Sequence, residues 1–390
     1  MERIKRFLNK NKIANSLLVF FLWAPMIQNE THWINEDGLG GTIIKIENPS
    51  FVLSEWFDGE YQTKMTDYCN HEFGFRNTLI RIHNQLDYFC FDKLHAFGVV
   101  MGKEEYLYEE NYIRSCIGLD YVGLDKINED ARKLKLVQDT LRKLHVDLVF
   151  IIAPGKGTYF SEYFPSPYDT MKIRTTNYAG YASAFKQSGI SYIDFNKWFL
   201  DMKKTTPYPL YGKGGIHWSK YGEALACDSL IRFIEQEREC YMPRLVLDEV
   251  ELSILNRDED YDIGSALNLL FTLDTYSMGY PKFHFQKDQN KTKQKVICVA
   301  DSYYWGMFNF GISTEVFGNG KYWYYNEQIY PDSYEKNKST SEVDLKIEIE
   351  KHDVIIVLST EMNLYRFSFG IVDQLYDVYY ANNKSLFSKQ

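Results

Sequence analysis

Short apolar runs alternate with amphipathic stretches along much of the chain. The runs are continuous and rich in Val and Ile, which is typical of strands that are covered on both faces. They occupy residues 146–153, 190–195, 296–301 and 353–360. Apolar positions recur at helical spacing in residues 127–144, 178–187 and 220–237. Strands that alternate with helices predict an α/β fold with a parallel sheet and flanking helices.

The remaining segments frame this α/β pattern. Residues 29–120 predict an N-terminal arm of helices and loops, and residues 121–390 predict the α/β domain. Inside that domain, residues from about 240 to 292 break the alternation. They predict an irregular, solvated insertion that ends in lysine-rich sequence.

The first 28 residues have the charge pattern of an export signal. Five basic residues lie within residues 1–12 against the single acid Glu2, and residues 13–27 are uncharged and mostly apolar. The apolar segment is shorter than the roughly 20 residues of a full span, and no clear cleavage site follows it. We favour an uncleaved signal anchor over a cleaved signal peptide or a buried amphipathic helix. The prediction is a single-pass protein of the cytoplasmic membrane with an extracytoplasmic catalytic domain, periplasmic or at the cell surface.

Composition narrows the classes of function. The chain has 390 residues, 45% hydrophobic and 25% charged, as expected of a chain that buries a core. Its formal net charge of -9 argues against a nucleic-acid partner, because phosphate binding needs a basic surface. Aromatic residues make up 16% of the chain, and they either pack in the core or offer ring faces to sugars.

No pattern in the sequence predicts a metal or another cofactor. The six cysteines are scattered without CxxC pairs, and the eight histidines show no HExxH or other metal-ligand spacing. One or two disulfides stay open as an alternative if the chain is exported.

Ser302 is the candidate nucleophile. It directly follows the apolar run at residues 296–301 and precedes a predicted helix. Ligands of parallel α/β sheets bind at the carboxyl ends of the strands, where this hydroxyl is expected. The N–H of Tyr303 would stabilise a developing oxyanion there, and Asn309 is a weaker candidate donor. The alternative is that Ser302 only caps the helix.

His217 is the candidate base. A glycine-rich loop, residues 212–216, delivers it and Trp218 immediately before a helix that Ser219 caps. Serine is a poor nucleophile unless a base within hydrogen-bond reach removes its proton, and histidine suits neutral pH. The alternative is a structural histidine packed beside a tryptophan. The chain has no GxSxG motif, which argues against an ordinary α/β-hydrolase.

Together these motifs resemble the SGNH hydrolase-like domain of the alginate O-acetyltransferase family, AlgJ/AlgX-like. In that family a histidine in a D-x-H-W loop precedes a G-D-S nucleophile turn, which reverses the order of ordinary SGNH hydrolases. Here His217-Trp218 precedes Asp301-Ser302. Further similar stretches lie at residues 56–57, 73–77, 99–103 and 151–165. The resemblance runs from about residue 50 to the end and implies an SGNH-like (flavodoxin-like) parallel sheet.

Two positions depart from the family pattern. Gly215 stands where the family has its acid, and Ala300 stands where it has the glycine of G-D-S. Loss of the acid removes the group that fixes the imidazole tautomer and stabilises its cation. Three alternatives follow: a backbone carbonyl orients the histidine, a carboxylate such as Asp194 or Glu361 replaces the acid, or the chain is a weakened or inactive relative.

The resemblance implies O-acetylation of a cell-surface or secreted polysaccharide, with Asp301 and Trp218 as auxiliary residues beside Ser302 and His217. It also implies a polysaccharide acceptor, an acyl donor supplied by a polytopic membrane O-acyltransferase, and no cofactor. The same Ser–His pair would serve a carbohydrate esterase, in which water is the acceptor. The third hypothesis is a non-catalytic polysaccharide-binding or assembly protein, which Gly215 favours and the retained Ser302 and His217 oppose.

Overall fold

Two units make up the computed structural model, which describes residues 2–41, 46–286 and 290–381. One unit contains the described residues up to Phe97 together with Gly264–Leu273. The other contains Gly98–Ile263 and the described residues from Asp274 onward. The structure does not describe residues 1, 42–45, 287–289 and 382–390. These residues fall within the predicted anchor segment, arm and α/β domain. The predicted domain boundaries stay predictions.

The first unit is helical in the part that the structure describes. Its helices are α1 Glu2–Thr31, α2 Leu53–Asp58, α3 Glu60–His71 and α4 Arg76–Phe91. Buried amide side chains tie α4 to the stretch at 264–273. Asn84 Nδ2 donates to the Leu267 carbonyl at 2.9 Å, and Gln85 Oε1 accepts from the Phe271 N–H at 2.9 Å.

The predicted signal anchor, residues 13–27, lies inside α1. Across residues 2–41, 46–286 and 290–381, no helix combines the length and the apolar run that crossing a membrane requires. The anchor therefore stays an expectation from the sequence.

The second unit contains all ten strands of the described chain. They are β1 Val99–Met101, β2 Leu107–Glu109, β3 Asp147–Ala153, β4 Tyr192–Asp194, β5 Leu245–Ser253, β6 Met278–Phe285, β7 Val296–Ala300, β8 Lys321–Tyr324, β9 Gln328–Tyr330 and β10 Val354–Thr360. Six of them form one sheet in the order β4-β3-β10-β7-β8-β9. The pairs β1–β2 and β5–β6 form two small antiparallel sheets.

The α/β fold is confirmed, and all four predicted strands lie in the main sheet as β3, β4, β7 and β10. The expectation of a purely parallel sheet is wrong, because β9 pairs antiparallel with β8 at one edge and makes the sheet mixed. The sequence pattern missed β8 and β9, the last two strands at one side of the sheet. Their residues, Lys321–Tyr324 and Gln328–Tyr330, are aromatic and polar and lack the Val-rich run of a central strand.

Helices flank the sheet and fill the core. In this unit they are α5 Glu110–Cys116, α6 Leu124–Lys143, α7 Lys156–Tyr159, α8 Asn177–Ser188, α9 Phe195–Met202, α10 Lys220–Arg238, α11 Asp262–Ala266, α12 Tyr304–Asn309, α13 Ile312–Glu315, α14 Leu345–Glu350 and α15 Ile371–Tyr376, with the end of α11 in the first unit. The three predicted helices correspond to α6, α8 and α10. Side chains such as Leu134, Phe150, Val357 and Leu375 are fully buried in one cluster of helices and sheet. This core fixes the carboxyl edge of the sheet, where Ser302 lies.

The predicted insertion is more regular than expected. The strands β5 and β6 pair antiparallel from Leu245–Phe285 to Ser253–Met278. Most side chains of β5 are exposed, so this ribbon has no apolar run that the sequence could reveal. Between the two strands the chain returns to the main sheet and delivers Asp262 at the start of α11.

All six cysteines, each within the described residues, carry free thiols. The disulfides that the sequence left open are therefore absent there. Burial raises the pKa of the Cys298 thiol well above its usual value, and it raises the pKa of Cys227 in the same way. These two thiols are protonated, unreactive core groups.

Candidate active site

Ser302 lies two residues beyond β7, at the carboxyl edge of the sheet. A tight turn follows it, in which the Trp305 N–H donates to the Ser302 carbonyl at 3.1 Å. Helix α12 begins at Tyr304, so the half-buried serine stands between a buried strand and a helix start. This is the position that the sequence predicted for a reactive hydroxyl.

The carboxyl group of Asp301 holds this turn in place through its hydrogen bonds. Its Oδ2 accepts hydrogen bonds from the Thr360 N–H at 2.7 Å, the Thr360 hydroxyl at 2.8 Å and Asn363 Nδ2 at 2.8 Å. Its Oδ1 accepts from the Tyr303 N–H at 3.1 Å. Burial nevertheless raises the pKa of Asp301, against the opposing effect of these donors. Asp301 thus links the end of β7 to the end of β10 and has a supporting role beside Ser302.

His217 faces the serine directly. Its Nε2 lies 2.8 Å from Ser302 Oγ. The loop in front of His217 is held on both sides: the Tyr303 hydroxyl donates to the Ile216 carbonyl at 2.6 Å, and the Ile216 N–H donates to Asp262 Oδ1 at 2.9 Å. The ring of Tyr303 packs against His217 at 4.8 Å between centroids. The orientation of His217 is therefore set by hydrogen bonds of the preceding backbone as well as by contacts of its imidazole ring.

Asp262 occupies the other side of the imidazole. Its Oδ2 lies 2.5 Å from His217 Nδ1. The Ser302, His217 and Asp262 side chains therefore form one continuous chain of hydrogen bonds. In the tautomer whose Nε2 is free to accept the serine proton, Nδ1 carries the ring proton and donates a hydrogen bond to Asp262.

The structure does not bring the two predicted replacement acids to His217. Asp194 caps α9 by accepting from the Lys197 N–H at 2.8 Å, and Glu361 accepts from the Thr158 hydroxyl at 2.7 Å. Burial raises the pKa of both carboxyls, to about 7 for Glu361. Asp194 and Glu361 thus lie at the carboxyl ends of β4 and β10 as expected, but in a separate polar cluster.

The charges around His217 favour its cation. Burial lowers the pKa of His217, but the hydrogen bond and negative charge of Asp262 outweigh that effect. The carboxylates of Glu223 and Glu259 add to it, so the net pKa is raised above the ordinary value. Burial raises the pKa of Glu109, at the end of β2; the charge of His217 opposes this shift and that of Asp262 adds to it.

Lys156 supports the histidine loop from inside the protein. Its side chain is fully buried, and Nζ donates to the carbonyls of Lys213 at 2.7 Å and Gly215 at 2.6 Å. Burial lowers the pKa of Lys156 to about 7, with the charge of Asp262 opposing the shift. These two hydrogen bonds satisfy carbonyls of the loop without water. They hold the loop, and His217 with it, in place beside the sheet.

The glycines of this loop allow the insertion to pack against it. A Cβ on Gly215 would lie 2.1 Å from the Glu259 carbonyl oxygen, and a Cβ on Gly212 would lie 2.2 Å from that of Asp260. A Cβ on Gly214 would lie 2.3 Å from the ring of Tyr261. The backbone that leads to Asp262 thus fills the space beside position 215. The absence of a side chain at Gly215 therefore allows the packing of the insertion that carries Asp262.

The predicted oxyanion donors are placed differently from expectation. The Tyr303 N–H is directed to Asp301, and Asn309 is exposed at the end of α12. Tyr325, which the sequence did not single out, is a better candidate. Burial and the charge of Asp301 raise the pKa of its phenol, while the side chains of Asn363 and Ser302 oppose the shift.

Tyr325 owes its position to the turn between β8 and β9. Its φ is 50°, and that of the next residue, Asn326, is 59°. The left-handed region is uncommon for a bulky aromatic residue, and such conformations cluster at functional sites. Trp218 has a simpler role, because it is fully buried and packs against Tyr303 at 5.4 Å between ring centroids.

Gly215→Asp tests whether the family's usual acid position is closed. The new side chain must displace the insertion backbone, so we expect the free energy of unfolding to fall by about 1–3 kcal/mol. It should also fail to restore activity to Asp262→Ala. Urea denaturation and acetyl-ester turnover measure the two effects.

Gly318→Asp is the matched control, since its Cβ would meet the nearest atom at 3.7 Å, an ordinary contact. Full stability in Gly215→Asp, together with rescue of Asp262→Ala, would mean that position 215 is open and that Asp262 is dispensable.

Comparisons with known proteins give the family context. Residues 99–244 match the family model described as the SGNH hydrolase-like domain of the acetyltransferase AlgX. Among solved structures, the chain is similar to the O-acetyltransferase domain of Pseudomonas putida AlgJ, at 15% identity, with 72% of this chain and 99% of that chain covered and a TM-score of 0.47. It is also similar to Pseudomonas aeruginosa AlgX, at 15% identity, 70% and 67% coverage and a TM-score of 0.46.

Bacillus cereus PatB1 is a further similar structure, at 13% identity, with 63% of this chain and 93% of that chain covered and a TM-score of 0.38. No curated protein matches the chain.

The family match contains His217 and its loop and ends at residue 244, before Asp262 and Ser302. Over residues 99–244 the chain therefore carries an SGNH hydrolase-like domain of the acetyltransferase AlgX type, and the predicted resemblance to the alginate O-acetyltransferase family, AlgJ/AlgX-like, is confirmed.

Proposed function

We propose that this protein is an O-acetyltransferase that transfers an acyl group to a cell-surface or secreted polysaccharide through an acyl-serine intermediate on Ser302. The observation that carries the proposal is the continuous hydrogen-bond chain from Ser302 through His217 to Asp262. A histidine oriented on both ring nitrogens between a hydroxyl and a carboxylate is the arrangement that activates a serine. The acetyltransferase type of the matched domain supports acyl transfer as its use.

In the first half-reaction, His217 Nε2 accepts the proton of Ser302 as Oγ attacks the carbonyl carbon of the acyl donor. The bond between that carbon and the leaving oxygen then breaks, and the His217 cation returns its proton to the leaving oxygen. Asp262 stabilises this cation. In the second half-reaction a sugar hydroxyl gives its proton to His217 and attacks the acyl-serine carbonyl, and Ser302 recovers its proton.

Each half-reaction passes through a tetrahedral oxyanion that needs a hydrogen-bond donor. The phenol of Tyr325 is a suitable donor, because its pKa is raised and it keeps its proton in the working pH range. The Ser302 side chain is among the groups that act on the pKa of this phenol, which supports a position of Tyr325 near the attacked carbonyl.

The proposal includes the setting of the reaction. The basic flank and apolar segment at the N-terminus favour a membrane-anchored chain with an extracytoplasmic site. The resemblance to the family favours an acyl donor supplied by a polytopic membrane O-acyltransferase. The same chemistry with water as acceptor would make the protein a carbohydrate esterase, so the acceptor has to be tested directly. The hydrogen-bond chain speaks against a purely non-catalytic binding protein.

The test of the proposed function is acetyl transfer from an activated acetyl ester, with and without an oligosaccharide acceptor, for wild type and Ser302→Ala. We expect the variant to lose turnover by a factor of about 10³ or more, because it lacks the nucleophile. Acetylated oligosaccharide identified by mass spectrometry would support the transferase, and acetate alone would support the esterase.

Ser183→Ala, which changes an exposed serine on α8, is the matched control and should keep wild-type turnover. Equal turnover in wild type and Ser302→Ala would reject the acyl-serine mechanism.

Asp262→Asn tests the electrostatic role of the acid through the pH profile. Wild-type kcat/KM should rise with pH as His217 loses its proton, with a midpoint above the ordinary histidine pKa of about 6.5, because the folded-state pKa is raised. The substitution removes the charge that raises this pKa and leaves the burial that lowers it. We expect the midpoint to move to lower pH and kcat to fall on the order of 10³–10⁴-fold.

Asp258→Asn changes an exposed acid of the same insertion and should leave the profile unchanged. A profile that Asp262→Asn does not shift would show that the acid does not act on His217.

Tyr325→Phe tests the oxyanion donor. Loss of one such donor lowers kcat by roughly 10²–10³-fold, and the effect should fall on kcat more than on KM because the oxyanion forms only during reaction. Steady-state kinetics with the acetyl ester measure it. Tyr334→Phe, a nearby tyrosine that is 63% exposed, is the control. A normal kcat in Tyr325→Phe would assign the phenol a packing role.

A further inference from the structure

Two histidines and an aspartate meet in the first unit, on residues that the proposed reaction does not use. His95 Nε2 lies 2.6 Å from Asp87 Oδ2, and His83 Nε2 lies 3.8 Å from the same oxygen. The imidazole rings of His83 and His95 are 5.1 Å apart between centroids. One ligand-type atom from each of the three residues falls within 4.8 Å of the other two.

The local fold explains this convergence. His83 and Asp87 are four residues apart on α4, so they share one face of the helix. The helix ends at Asp92, whose φ of 51° is left-handed, and the Lys93 N–H donates back to the Asp87 carbonyl at 3.3 Å. This tight turn brings His95 back over the last turns of α4.

The donor set has a clear chemical preference. Two imidazole nitrogens and one carboxylate oxygen suit a divalent transition metal such as zinc and suit magnesium or calcium poorly. Ligand atoms bound at about 2.0–2.1 Å to one zinc ion lie about 3.4 Å apart. The observed distances of 2.6 and 3.8 Å from Asp87 Oδ2 to the two imidazole nitrogens bracket that value. His83, with its side chain 65% exposed, leaves the site accessible from solvent.

We propose that His83, Asp87 and His95 form a binding site for one zinc-class divalent metal ion. Zinc would join α4 to the turn that follows it, with water completing the coordination. The site is independent of the acyl-transfer chemistry, because none of its ligands lies in the Ser302–His217–Asp262 chain.

One charged neighbour competes with the metal. Lys93 Nζ lies 3.4 Å from Asp87 Oδ2, although the Lys93 side chain is 60% exposed and can move into solvent. The hydrogen bond from His95, together with Lys93 and His83, lowers the pKa of Asp87.

The test is calorimetric titration of tag-free full-length protein with Zn²⁺ near pH ~7, where unperturbed histidine is mostly neutral. We expect one ion per chain. His83→Ala should weaken binding by at least about 10-fold, the smallest loss seen when even an outer-sphere partner of a metal site is removed. This variant keeps the His95–Asp87 hydrogen bond, so the turn stays folded, and circular dichroism verifies it.

His284→Ala is the matched control. His284 Nδ1 lies 3.0 Å from Asp248 Oδ2 in an exposed pair that has no second histidine among the described residues. Its removal should leave the affinity unchanged. Co²⁺ provides a second measurement, because its visible absorption on binding should disappear in His95→Ala.

Three results would overturn the proposal: no stoichiometric uptake of Zn²⁺ by the wild type, equal affinity in wild type and His83→Ala, or an equal loss in His284→Ala. In the first two cases the cluster is an ion pair that stabilises the end of α4. Because metal uptake is measured directly, these results are distinct from any failure of acyl transfer.

Discussion

The buried carboxylate of Asp301 is the constraint on which the geometry of the candidate active site depends. A buried carboxyl group needs hydrogen-bond donors, and the end of β10, Asn363 just beyond it and the turn after β7 supply them. These requirements hold the turn in one conformation. The turn fixes Ser302 and Tyr303, and Tyr303 in turn holds the loop before His217. The nucleophile and the base are therefore aligned by the same sheet.

A second constraint lies on the opposite side of the histidine. The loop at residues 212–216 has two of its carbonyls bound by Lys156 and its glycines packed against the backbone of residues 259–261. Position 215 thus has no room for a side chain beside this backbone, and the carboxylate next to His217 comes from Asp262 instead. The insertion occupies the volume of the missing side chain and supplies a carboxylate from the other direction.

Much of the architecture could be read from the sequence, and the reasons are physical. The strands β3, β7 and β10 are buried on both faces, so their Val and Ile runs stand out, and Ser302 follows directly from the end of such a strand. The strands β8 and β9, at one side of the sheet, carry tyrosines instead, and that is why the mixed character of the sheet was missed. Tyr325, in the turn between them, escaped notice for the same reason.

Asp262 was out of reach for a different reason. It meets a histidine 45 residues earlier through a ribbon whose side chains are mostly exposed, and no local spacing records such a contact. Asp194 and Glu361 were sensible alternatives, because they do lie at strand ends. The histidine–aspartate cluster on α4 was equally hidden, since its third member depends on a left-handed turn at Asp92.

Because Asp262 belongs to the insertion between β5 and β6, changes in that insertion can alter the site without altering the main sheet. A deletion or insertion of a few residues between β5 and α11 can move the carboxylate away from His217. It would leave the sheet, the serine turn and the hydrogen bonds from Tyr303 and Lys156 to the histidine loop in place. Pseudoenzymes that arise in this way would keep both sequence signatures of an active protein. Conversely, surveys that require an acid two residues before the histidine would discard chains of this kind, in which the carboxylate beside the histidine comes from another segment.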